Sequence, residues 1–433
     1  MKKVTSALAL AALVGTPAAA MANVEFGGDF DARYYNLQDA EDSNASGFDQ
    51  RIRLQSSFET DGGVSVNARL NLMNDRWTGD ASGQNLDDAP FNGRGNRNVE
   101  LDYGFASLPM FGGMVNIGRQ ESNWNPMGLT TTDDRRDRIS YVRPLGGGHT
   151  AIVAYDRRQA SDRRDGSTEG NQPFVALLGP LAEGVQYGFL VAYWEASSSG
   201  ADGDGYVLNG ATLVSPYIEG QAGDFNYGAG VHYLGDGRNL YQEDTFAGYL
   251  HAGFQMTPEF KLEGQLFHAA DGALVAGGYD SYSSLINNSP DHNQSATSIA
   301  ALNLSGLAGR TSVVNPSAVA GGADAESVAG TEAQDGMSRT LAAVRGTYTM
   351  MDWTFMGALG WVNYEDPDLT GVAGDALAAS GQDEDVIFVD AQVHYQLTPS
   401  TRVFGTAGYA DVEEDQFGRD DFWASSVNLN VQF

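Results

Sequence analysis

Nearly every stretch of this chain that can extend alternates apolar and polar residues with a period of two, and that alternation decides most of what the chain can fold into. In VSVNARLNL (64–72), Val64, Val66, Ala68, Leu70 and Leu72 take one parity against Ser65, Asn67, Arg69 and Asn71. RIRLQSSF (51–58) sets Ile52, Leu54 and Phe58 against Arg51, Arg53, Gln55 and Ser57, and VELDYGF (99–105) sets Val99, Leu101, Tyr103 and Phe105 against Glu100, Asp102 and Gly104. The pattern returns in FNYGAGVHY (225–233), FKLEGQLF (260–267), IFVDAQVHY (387–395) and SSVNLNVQF (425–433). Successive strand side chains point to opposite faces, so each segment has one apolar and one polar face. The polar faces hold too much Asn, Gln, Asp and Arg for a dry core and must meet water. A soluble sandwich is the rival, but it does not account for the aromatic residues near strand ends. Tyr34, Tyr35, Trp77, Tyr193, Trp194, Tyr233, Trp353, Trp361, Trp423 and Phe433 gather there, as rings at the two interfaces of a lipid bilayer do.

The connections alternate too. Short ones, TDGG (60–63), LPMFGG (108–113), LGGG (145–148), MTPEF (256–260), MMD (350–352) and LTPST (397–401), are mostly turn-forming by their Gly and Pro. Between them lie long polar or small-residue segments at 36–47, 76–97, 122–138, 159–172, 269–337 and 366–384. Short turns on one rim and long loops on the other describe a transmembrane antiparallel β-barrel. The expected all-β fold has 18 strands, with 16 as the alternative because the segments 139–144 and 173–179 are short. A barrel of this size is one domain, spanning 23–433.

Residues 1–22 read as a secretory signal peptide: two lysines, an apolar run from Ala7 to Val14, and Ala20-Met21-Ala22. The run is too short for the roughly 20 residues that a helical span needs, and no other apolar run reaches that length. With no cysteine, stability outside the cytoplasm has to come from a large core or a closed sheet. The 54 glycines, 19 tyrosines and 20 phenylalanines favour strands and turns. A net charge of −31 argues against nucleic acid as a partner. The charge is uneven: residues 23–165 hold 16 arginines against 22 acids, whereas 166–433 hold seven bases against 34 acids.

In SSVNLNVQF, Val427, Leu429 and Val431 share the lipid-facing parity and Asn428, Asn430 and Gln432 the other. This stretch resembles the C-terminal strand of Gram-negative outer-membrane proteins. The chain as a whole is similar in architecture to the porin superfamily, with GGDFDARYYN opening the barrel. GGMVNIGRQES (112–122) is similar to the Gly-Arg-Gln strand that in porins precedes the inward-folding third loop. NWNPMGLTTTDDRRDR (123–138) stands in the place of that loop and lacks the Pro-Glu-Phe-Gly-Gly motif of the trimeric general porins. The resemblance implies an outer-membrane channel in a Gram-negative bacterium. It further implies that Val427, Leu429, Val431 and Phe433 form a signal for the barrel-assembly machinery, contact with lipid and lipopolysaccharide, a constriction at 122–138, and a homotrimer.

A water-filled barrel acts through the size and charge of its narrowest section. By parity Arg33, Arg51, Arg53 and Arg69 fall on the inner face of three adjacent strands and make a candidate basic wall. Glu100 and Asp102, Arg119, and the run Asp133, Asp134, Arg135, Arg136, Asp137 and Arg138 complete the expected pore lining. As a group they would set a transverse field; taken singly, such pairs brace a wall with little energetic consequence. His232, His251 and His394 fall at inner parity on different strands, with no nucleophile or metal-ligand spacing. No catalytic residue, metal or cofactor is expected. The segment 269–337 reads as an extracellular loop or plug. The expected function is passive diffusion of small hydrophilic solutes and ions. The alternatives are a channel selective for anionic nutrients, or a structural barrel holding a periplasmic partner.

Overall fold

The computed structural model describes residues 23–39, 44–76, 99–124, 126–127, 131–159, 169–197, 210–235, 244–270, 282, 338–364, 384–412 and 422–433. Among these residues there are strands and turns and no helix. The expected signal peptide, Trp77 and nearly all of 269–337 lie outside them.

The strands run β1 (Asn23–Asp39), β2 (Asn44–Glu59), β3 (Ser65–Arg76), β4 (Glu100–Met110), β5 (Gly113–Trp124) and β6 (Thr131–Gly146). They continue with β7 (His149–Gln159), β8 (Glu169–Ala182) and β9 (Val185–Tyr193), which resumes as Glu195–Ser197 beyond Trp194. Then come β10 (Thr212–Ala222), β11 (Phe225–Gly235), β12 (Thr245–Gln255), β13 (Phe260–Ala269) and β14 (Arg339–Met350). The last four are β15 (Trp353–Tyr364), β16 (Glu384–Thr398), β17 (Thr401–Val412) and β18 (Phe422–Gln432). Each pairs antiparallel with the next, and β18 pairs with β1 from Asp29 opposite Gln432 to Asp39 opposite Phe422. At the seam, Gly28 N–H donates to the Phe433 carbonyl at 2.8 Å and Phe433 N–H to the Gly28 carbonyl at 3.0 Å. Closure leaves no open edge, which is what a sheet in hydrocarbon requires.

The count is therefore 18, and the alternative of 16 falls. The two segments that looked short, 139–144 and 173–179, are the middles of β6 and β8, whose ends are too polar or too rich in glycine to show the alternation.

Burial is inside out. Exposed residues on the outer face are Ile117, Ile139, Val153, Val175, Leu250, Leu266, Leu359, Ile387 and Val427, while Asp31, Arg33, Asn71, Asp156, Gln265, Gln392 and Asn428 are buried on the inner one. Exposed aromatic rings come in pairs eight residues apart on one strand: Phe26 and Tyr34, Phe225 and Tyr233, Phe246 and Phe254, Trp353 and Trp361. At a rise of about 3.3 Å per residue and a tilt of about 40°, that spacing covers about 20 Å along the membrane normal. Two of the expected interfacial rings are not part of these belts. Tyr35 and Trp194 are 4% and 2% exposed; each follows an outward tyrosine in sequence, and neighbours on a strand point to opposite faces.

Candidate functional site

The inner face of β1 and β2 carries three Arg–Asp pairs in a row. Arg33 lies opposite Asp49, Asp31 opposite Arg51 and Asp29 opposite Arg53 in the strand register. Arg33 bonds Asp49, Arg51 bonds Asp31 at 2.9 Å and Arg53 bonds Asp29 at 2.9 Å. Asn430 of β18 donates to Asp31 at 2.6 Å and extends the ladder across the seam. On β3, Arg69 bonds Asp102 and also Glu121, the latter at 2.8 Å. All four arginines of the expected basic wall thus hold a carboxylate, and Arg33 and Arg51 are buried. Parity located them correctly, but it could not show that each faces an acid on the next strand.

Parity fails on β4. The register between β3 and β4 shifts at Arg69–Leu70, with Arg69 opposite Tyr103 and Leu70 opposite Leu101. The extra residue is a bulge, and it leaves both Asp102 and Tyr103 facing inward. The Arg69 guanidinium sits 4.7 Å from the Tyr103 ring centre. Tyr103 was expected on the outer face with Leu101, and the bulge is the reason it is not. Glu100 begins β4 opposite Asn71.

The described residues of the expected constriction loop at 122–138 are for the most part a β-hairpin. β4 and β5 last pair at Gly104–Arg119, and β6 and β7 last pair at Asp137–Arg157. Beyond those points, among the described residues, β5 and β6 pair only with each other, as far as Trp124 opposite Thr131. Glu121 and Arg135 share the parity of Ile117 and Ile139, whose side chains point to lipid. Yet Arg135 bonds Asp102 at 2.7 Å and Glu121 bonds Arg69, on the inner face of the wall. Contact between an outward parity and an inward wall requires the hairpin to bend into the lumen. At its tip the Trp124 indole N–H donates to the Ser215 carbonyl at 3.0 Å and lies 3.2 Å from Ser215 Oγ, and its ring meets Tyr217 edge-on at 5.4 Å.

The other expected lining residues divide between the hairpin's two faces. Arg119 bonds Asp137 at 2.9 Å on the Ile117 face at the hairpin's base, and both remain well exposed. Arg138, on the opposite face, bonds Asp156 of β7 at 2.7 Å and Ser122 at 2.8 Å. Arg136 stands opposite Gln120 and Asp134 opposite Ser122 in the register, and Asp133 precedes them in β6.

A second polar cluster, on β10 to β14, was missed by sequence reasoning. Glu219 and His251 bond at 3.1 Å across Gly228, where a Cβ would meet both within 2.3 Å. Tyr249 donates to Glu219 at 3.4 Å. Glu263 receives Lys261 at 2.7 Å and Arg345 at 2.9 Å. Tyr282 joins this wall: its N–H donates to Gln265 Oε1 at 2.6 Å and Arg345 lies 4.1 Å from its ring centre. The signal that would have found part of this cluster is the glycine at 228 between two long polar side chains on neighbouring strands.

An antiparallel barrel closed on itself, apolar outside and hydrophilic inside, with a hairpin bent into the interior, defines a transmembrane β-barrel channel. The chain belongs to the Gram-negative porin family, whose model matches residues 9–415. It is a multi-pass β-barrel channel of the outer membrane, and small solutes are what such channels pass. No curated protein matches the chain significantly. Among solved structures it is similar to OprD of Pseudomonas aeruginosa, at 10% identity over 96% of this chain and 95% of that one, with a TM-score of 0.55. It is similar also to P. aeruginosa OccK3 (OpdO), at 10% identity over 95% and 96%, TM-score 0.57. Acinetobacter baumannii OccAB4 gives 10% identity over 95% and 98%, TM-score 0.57. At these identities the likeness is one of fold.

Proposed function

We propose that this porin is a passive diffusion channel for small hydrophilic solutes and ions, narrowed by the β5–β6 hairpin. The observation that carries the reading is the path of that hairpin, from Asp102 on one part of the inner wall to Ser215 on another. The candidate basic wall is internally neutralised, so it offers no continuous track of unbalanced positive charge to anionic nutrients. With a net charge of −31, the field of the whole chain favours cations.

The test is single-channel current of the refolded protein in a planar bilayer, with the reversal potential taken under a KCl gradient. Stable steps reversing on the cation side support the reading. Saturable block by one anionic solute would favour the selective channel instead. Silence from a verified folded barrel would favour a lumen occupied by a periplasmic partner. We further propose that Val427, Leu429, Val431 and Phe433 present the terminal strand to the barrel-assembly machinery, and that the functional unit is a homotrimer in lipopolysaccharide-bearing membrane. Cross-linking of the membrane-embedded protein tests the oligomer.

A further inference from the structure

We infer that Trp124 is the positioning residue that holds the hairpin across the lumen, docked on Ser215 and Tyr217 of the wall. The inference rests on the channel reading above. Along β10 the register with β11 passes from Val214–Tyr233 directly to Tyr217–Gly230, skipping Ser215 and Pro216. On the other side both remain in register with β9, opposite Leu190 and Phe189. Proline has no N–H to give to a ladder, so one bond to β11 is missing here without a change of register, while the Ser215 carbonyl points to the opposite edge of the strand, toward β9. Trp124 docks on the residue before this proline, its indole N–H on the Ser215 carbonyl at 3.0 Å.

Two further features shape the dock. Ser215 is fully buried, and the Trp124 indole nitrogen stands 3.2 Å from its Oγ. Tyr217 is laid against the wall by Gly188, at which a Cβ would come within 2.1 Å of the tyrosine ring. The ring then stands where Trp124 meets it at an interplanar angle of 71°. Edge-to-face contact and a hydrogen bond to a backbone carbonyl together fix the indole in distance and direction.

Away from its tip, the hairpin is held by Glu121, Arg135 and Arg138. The tip is the part that closes the distance to β10, so its docking sets the width left for solutes. A latch of this kind has a second state, with the tip free and the passage wider.

Because the chain has no cysteine, Ser215→Cys places a single thiol under the indole while leaving the carbonyl acceptor in place. Labelling of folded S215C porin by a small charged thiosulfonate then reports how often Trp124 leaves. Folded barrel is identified by its heat-modifiable gel mobility. Adding Trp124→Phe keeps a ring and removes the N–H. Loss of a bond worth about 1 kcal/mol raises the undocked fraction about fivefold, and the labelling rate should rise by the same factor. Trp124→Ala should label faster still. Without the Ser215 change, both Trp124 variants should show sojourns above the wild-type conductance level.

Equal labelling rates with Trp, Phe and Ala at position 124 would overturn the latch. Faster labelling with unchanged conductance would overturn its role in setting the passage. If no variant conducts, the channel reading fails, while the labelling series still decides whether Trp124 covers Ser215.

Discussion

Asp102→Asn is the substitution that tests whether ions pass the junction between wall and hairpin. Asp102 and Glu121 are bridged by Arg69 and Arg135, so the four groups together carry no net charge. Asparagine keeps an oxygen to accept from the guanidiniums, and the hairpin should stay in place while the cluster becomes +1. An ion passing at about 8 Å in water would feel about 0.5 kcal/mol. Screening over a Debye length of about 10 Å at 0.1 M salt reduces this to about 0.2 kcal/mol. Potassium is repelled and chloride attracted by the same amount. The permeability ratio should therefore fall about twofold at 0.1 M, approaching about fivefold as salt is lowered. Glu121→Gln should shift the reversal potential in the same direction, and Arg69→Gln in the opposite one. The assay is the zero-current potential across a bilayer under a fixed KCl gradient, repeated at two mean salt concentrations. A ratio unchanged by Asp102→Asn at the lower salt would refute the placement of this cluster on the conduction path.

Three further changes address stability, read as the midpoint of urea unfolding from micelles or as heat-modifiable mobility. Asp49→Asn leaves Arg33, itself 2% exposed, facing an uncharged partner, and should lose about 3–5 kcal/mol. The double change Arg33→Met with Asp49→Leu should recover most of that, and a double variant as weak as the sum of the two singles would show that the pair is not coupled. Phe111 holds a φ of 53° at the tip of the β4–β5 turn, where a bulky residue is disfavoured by about 1–2 kcal/mol. Phe111→Asn should therefore raise the midpoint, and a fall would show that the exposed ring gains more from the lipid interface than its backbone loses. At Gly28 a Cβ would stand 2.4 Å from the Arg53 carbonyl oxygen and 2.7 Å from the Phe433 ring. Gly28→Ala should open the seam and cost about 1–3 kcal/mol, and an unaltered midpoint would mean that Phe433 contributes little to closure.

Period two and the rhythm of short and long connections were enough to place the barrel, its strand number and the inner and outer faces of most strands. The terminal strand is an instance: Val427 is exposed and Asn428 buried, as their parity requires. What parity cannot carry is any relation between strands that are not neighbours. The docking of Trp124 on Ser215, 91 residues away, follows from a hairpin leaving the wall, and the alternation across 119–138 looks the same whether it stays or leaves. Bulges are invisible for a similar reason. One inserted residue at Asp102–Tyr103 inverts every later assignment on β4, and nothing in VELDYGF marks it. Pro216 does not mark the dock either, since Pro109, Pro144, Pro173 and Pro180 also stand inside strands.

The neutralised ladder on β1 and β2 acquires a purpose when the alternatives to its register are considered. A slip of one residue would turn the whole strand inside out, so the competing registers in a barrel are those displaced by two. Displaced one way, Arg33 would face Arg51; displaced the other, Asp31 would face Asp49. Either arrangement would put two like charges together where three of these four residues are at most 3% exposed and the fourth 8%, at a cost well above that of an exposed pair. Asn430 bonds Asp31 from the other side, tying the last strand to the same register. The charges that looked like a filter therefore specify how the first strand meets both of its neighbours, and with them the closure of the barrel.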